Sequence, residues 1–107
     1  MRVVSAPLDA SPRRVRLTLR GVVQGVGFRW FAQREASRLG LAGWVANQPD
    51  GSVAVVAEGP SAALDELVAA LRDGPPGAWV RAVEVHQEPP GGLAAGFHIR
   101  SGAHSGD

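Results

Sequence analysis

Cysteine, tyrosine and lysine are all missing from this chain, and methionine occurs once. Without cysteine there is no disulfide, no thiolate nucleophile and no Cys-ligated metal site. That fits a reducing cytosol, and a cytoplasmic location is expected. Without lysine there is no P-loop, which needs a Gly-Lys pair followed by Ser or Thr. No stretch approaches the roughly 18–20 consecutive apolar residues of a membrane span. The amino end, Met1-Arg2-Val3-Val4-Ser5-Ala6-Pro7, lacks the apolar core of a signal peptide. A formal net charge of +1 is too small to point to a nucleic-acid partner. His86, His98 and His104 show no metal-ligand spacing.

At 107 residues the chain has room for one domain with one modest core. Residues 1–12 carry two prolines and no periodicity, and read as a flexible leader. The domain is expected over 13–100, and 101–107 as a flexible tail. Val15, Leu17 and Leu19 alternate, which predicts a first strand over 14–20. A helix is expected over 28–39, with Gly40 as its stop. A second strand, 42–47, leads through Gln48-Pro49-Asp50-Gly51, a tight turn, into a third strand over 53–58. Leu64, Leu67, Val68 and Leu71 have the spacing of one buried helix face, with Ser61 as its expected N-cap. Gly74-Pro75-Pro76-Gly77 ends that helix. A fourth strand is expected over 78–88, where the spacing of Val80, Val83 and Val85 slips and suggests a bulge. Residues 97–100 form a short extra strand, expected at an edge.

This order is an α+β fold, the ferredoxin-like βαββαβ sandwich: an antiparallel sheet with two helices on one face and a short extra C-terminal strand. In it the first and second strands run parallel with the third between them, so their ends share one sheet edge about 10 Å apart. Gly21-Val22-Val23-Gln24-Gly25-Val26-Gly27-Phe28-Arg29 lies at the end of the first strand and opens the helix. Glycines there let successive N–H groups converge on an anion, and the helix start adds unpaired donors and a positive dipole end. Arg29 brings a planar, permanently charged fork suited to phosphate oxygens. The spacing is not a dinucleotide fingerprint, since Trp30 stands where GxGxxG needs glycine. Asn47, at the end of the second strand, is the predicted neighbour of Arg29.

Gly21 to Arg29 resembles the signature loop of the acylphosphatases. Gly43-Trp44-Val45-Ala46-Asn47, followed by Asp50-Gly51-Ser52-Val53, is similar to their second signature. Glu58-Gly59-Pro60, Gly74-Pro75-Pro76 and Phe97-His98-Ile99 look like weaker landmarks of the same family. The resemblance implies hydrolysis of the carboxyl–phosphate bond of small acyl phosphates, with no metal, cofactor or covalent enzyme intermediate. It implies Arg29 as the phosphate-binding arginine and Asn47 as the residue that orients the attacking water. The backbone N–H groups of Gln24, Gly25, Val26, Gly27, Phe28 and Arg29 would cradle the phosphate. Inorganic phosphate would be both product and inhibitor. The chain departs from the family at position 46, often basic there and alanine here, and in its extension beyond residue 100.

Plainer readings stand beside these. Arg29 alone could be a solvated helix-start arginine, Asn47 a turn residue, and Gly21, Gly25 and Gly27 ordinary turn glycines. Trp30, Trp44 and Trp79 read as core or partly buried packing, and Arg13, Arg14 and Arg16 as a solvated flank. An RNA-binding module has the same element order, but it would need aromatics on the central strands, where Val-Arg-Leu-Thr-Leu and Val-Ala-Val-Val-Ala have none. A small-molecule sensing or accessory domain is the other alternative. The expectation is a freestanding monomeric enzyme without nucleic-acid or membrane partners.

Overall fold

The computed structural model describes residues 12–101. In β1 (Pro12–Val22) the alternation becomes two faces: Val15, Leu17 and Leu19 are buried, and Arg14, Arg16, Thr18 and Arg20 interleave with them. The strand is longer at both ends than the expected 14–20, because its flanks find partners. Pro12, assigned by sequence to the leader, pairs with Pro60, and Val22 pairs with Trp79. The remainder of the expected leader, and the tail past Ser101, lie outside the described residues.

The elements that follow are α1 (Phe28–Arg38), β2 (Ala42–Asn47), β3 (Val53–Pro60), α2 (Ser61–Asp73), β4 (Trp79–Glu88) and β5 (Phe97–Arg100). The strands lie in the order β4-β1-β3-β2-β5. β1 pairs antiparallel with both β3 and β4, and β2 antiparallel with β3. This is the ferredoxin-like arrangement. The extra strand modifies it: β5 runs parallel to β2 at the far edge, so the five-stranded sheet is mixed rather than wholly antiparallel. The cause is the path of residues 89–96, which carry the chain from one sheet edge to the other. Gly91 pins that strap to the open face of the sheet, its N–H donating to Glu58 Oε1 at 2.9 Å and its carbonyl accepting from Arg14. The expected bulge lies in β4, where the pairing passes from Arg20–Ala82 to Gly21–Val80 and Arg81 is the extra residue.

One face of each helix is apolar and meets one face of the sheet. Phe28, Ala32 and Ala36 of α1 and Leu64, Leu67 and Leu71 of α2 join Leu17, Leu19, Val45, Val53, Val55 and Phe97 in a single core. Ser61 is not the N-cap of α2. β3 runs unbroken to Pro60, whose extended backbone occupies the cap position, and the Ser61 hydroxyl instead accepts from Arg13 at 3.3 Å.

The other sheet face is polar and more ordered than a solvated flank. Arg14 pairs with Glu58 at 3.0 Å. Arg16 and Arg100 set their guanidinium carbons 5.6 and 4.4 Å from the ring centre of Trp44. Trp44 is therefore partly buried, as expected of the tryptophans, whereas Trp30 and Trp79 are 64% and 60% exposed.

β2 is held between β3 and β5 by a close approach at Gly43. Its φ is 148°, and a Cβ there would sit 1.9 Å from the carbonyl oxygen of Val56. Gly43→Ala is expected to destabilise the fold by about 2–4 kcal/mol, from backbone strain plus overpacking. Urea unfolding measures it; a loss below about 0.5 kcal/mol, the size of an ordinary surface change, would contradict the close approach.

Candidate active site

The passage from β1 into α1 is made by two glycines. Gly25 and Gly27 both have φ 77°, a conformation that costs other residues roughly 1–2 kcal/mol. Gly27 is the N-cap of α1 and, as glycine, makes no side-chain cap hydrogen bond. The Phe31 N–H donates to the carbonyl of Gly27 at 3.0 Å. A Cβ on either glycine would meet nothing within 4 Å, so conformation rather than crowding requires glycine, and the space before the turn is open. Val23 and Phe28 are buried below it and fasten the turn to the core.

Gln24 ties this turn to the second strand's end. Its Nε2 donates to the carbonyl oxygens of Gln48 and Ser52, both at 2.8 Å. Those carbonyls belong to the β2–β3 hairpin, where Gln48 N–H donates to Ser52 at 2.9 Å and Gly51 N–H to Gln48 at 3.1 Å. The hairpin is braced again by Asp50, whose Oδ1 accepts from the Ser52 N–H at 3.0 Å and its hydroxyl at 2.6 Å. Arg20 reaches the other Asp50 oxygen at 3.1 Å and Glu84 at 2.8 Å.

Asn47 closes β2 in register with Val53, so its side chain shares the helix-facing side with Val45. It is only 8% exposed. Arg29, the second residue of α1, is half-buried. Both line one cleft of about 290 Å³ together with Val23, Gly25, Gly27, Phe28, Trp30 and Ile99. Of the remaining residues assigned to the cradle, Val26 packs against the core and Gln24 turns its side chain to the hairpin. By sequence Trp30 was read as packing and Ile99 as part of a weaker family landmark, and neither was assigned to the site. Trp30 directly follows Arg29 and could have been flagged by position. Ile99 reaches the cleft through the parallel pairing of β5, where it stands opposite Val45. Arg29 is the one charged side chain in the lining, among the described residues. The described residues hold no group of three His, Cys, Asp or Glu that could bind a metal ion.

The profile of the acylphosphatase family matches residues 15–99. An acylphosphatase of Rubrobacter xylanophilus is 51% identical over 88 residues, covering 82% of this chain and 80% of that one. One from Thermus thermophilus is 52% identical over 88 residues, covering 82% and 98%. Among solved structures, the acylphosphatase of Bacillus subtilis superposes with a TM-score of 0.80 at 41% identity, over 82% of this chain and 98% of that one.

The hairpin that carries Asn47 has a measurable acid signature. The Ser52 hydroxyl, then the Ser52 N–H and Arg20, lower the Asp50 carboxyl to about 2. A carboxyl depressed in the folded state stabilises above its unfolded value, about 3.9 for Asp, and loses that contribution as pH falls through the folded value. The stability gap between the parent protein and Asp50→Asn is expected to be constant above pH about 5 and to close between pH about 4 and 2. Urea melts across that range read it; a gap that widens on acidification would contradict the pairing.

Proposed function

The chain belongs to the acylphosphatase family, a family of enzymes that hydrolyse acyl phosphates, and from that premise we propose how this chain performs the reaction. Water attacks phosphorus, the bond from phosphorus to the carboxyl oxygen breaks, and carboxylate and inorganic phosphate leave. The observation that carries the proposal is the cleft shared by Arg29, Asn47 and the glycine turn.

An acyl phosphate already has a good leaving group. Phosphoryl transfer passes through a loose transition state with charge on the peripheral oxygens, so the protein must chiefly place and neutralise. In this reading the backbone N–H groups of Gln24 to Arg29 hold those oxygens and the Arg29 guanidinium adds two charge-assisted bonds. The side-chain carbonyl of Asn47 accepts from a water and aims it at phosphorus. Asn is not a base, and the two signatures, residues 21–29 and 43–53, contain no Cys, Tyr or His. The proton therefore passes to a phosphate oxygen of the substrate itself.

Charge neutralisation through amides and Arg29 gives a metal ion no role in the cycle. Inorganic phosphate fits the same site and competes with substrate. We take the enzyme to work as a cytoplasmic monomer without nucleic-acid or membrane partners; no helix among the described residues is long and apolar enough to cross a membrane.

Hydrolysis of benzoyl phosphate with a chelator present tests the reading. Activity is expected to persist. Arg29→Ala and Asn47→Ala are each expected to lower kcat/KM by at least about a hundredfold, the scale of losing one oxyanion donor, with the far-UV spectrum unchanged. Labelled solvent oxygen is expected in the phosphate. A divalent-ion requirement, or label in benzoate, would contradict the mechanism.

A further inference from the structure

The cleft has one wall that holding a phosphate does not require. Trp30, third residue of α1, lines it next to Arg29 with 64% of its surface exposed. An indole so exposed keeps a large apolar face in water, where covering it is favourable. Val23 and Ile99 extend the apolar lining. An acyl phosphate has two ends. Its phosphoryl oxygens take Arg29, after which no charged lining side chain remains among the described residues for a second charge on the acyl group. A flat, uncharged ring is the acyl group that such a surface matches.

Resting on the acyl-phosphate reading above, we propose that Trp30 forms the acyl-group subsite and makes this enzyme select aromatic over short aliphatic acyl phosphates. Trp79 supplies the control. It is 60% exposed, yet it lines a separate depression with Arg20, Asp50 and Arg81.

The test is the ratio of kcat/KM for benzoyl phosphate to that for acetyl phosphate, compared between the parent protein and each variant. The difference in intrinsic reactivity of the two substrates then cancels. Trp30→Ala is expected to lower the ratio about tenfold, chiefly through a higher KM for benzoyl phosphate, because the ring contact is made before and during reaction alike. Trp30→Phe is expected to restore most of it, and Trp79→Ala to leave it at the parent value. Trp30→Gln, a good helix former suited to an exposed position and without the ring, is expected to match Trp30→Ala and guards against a folding defect. A ratio within about twofold of the parent value in both ring-less variants would overturn the subsite while both substrates are still hydrolysed. Hydrolysis of neither substrate by the parent protein would instead remove the acyl-phosphate reading itself.

Discussion

Glycine at φ 77° on each side of Val26 lets the chain leave β1 and start α1 with no side-chain cap from the N-cap residue itself. A residue with a Cβ at either position would resist the left-handed backbone. A capping Ser or Asp at Gly27 would also fill the helix end with its own oxygen, the place where an anion binds most readily. The core fixes the turn from below through Val23 and Phe28, and Gln24 fixes it sideways to the hairpin. The helix start is thus held at a set distance from the end of β2.

The topology supplies the rest. β3 lies between β1 and β2, and the ends of those two parallel strands therefore fall on one edge of the sheet. Arg29 and Asn47 come from different strand ends and meet across one cleft without a long loop to bring them together. β5 adds Ile99 to the cleft and closes the free edge of β2, with Gln33 of α1 donating to the Phe97 carbonyl at 3.2 Å. On the opposite face, the strap through Gly91 and the stack of Arg16 and Arg100 on Trp44 cover part of the sheet. The two faces divide the work. One packs the core and orients the cleft; the other is a polar surface held by ion pairs and cation–π contacts.

Much of this was written into local residue order. Alternation at Val15, Leu17 and Leu19, the Gly40 stop, the Pro49-Asp50-Gly51 turn and the slipped spacing after Val80 each mark an element through its own period or turn chemistry. The four-strand core follows from their order. What was not legible depends on partners distant in sequence. The short run 97–100 does not show which strand it joins or in which direction, so neither the mixed sheet nor the place of Ile99 could be read. Trp30 and Trp79 were assigned to packing because tryptophan is usually covered, yet the first turn of α1 and the start of β4 leave both in solvent. Gln24 was read for its backbone, whereas its side chain makes the bracing bonds. Ser61 fits a cap by residue type, but the unbroken run of β3 to Pro60 moved the helix start by one position.

The central claim is that backbone amides of the turn before α1, and not side chains elsewhere, hold the phosphoryl group. Titrating inorganic phosphate into the ¹⁵N-labelled protein and following its amide resonances tests this directly. Saturable shifts are expected to concentrate at Gln24, Gly25, Val26, Gly27, Phe28 and Arg29, with one common dissociation constant. Shifts confined to the open face around Trp44 and Arg100, with the turn amides unmoved, would contradict it.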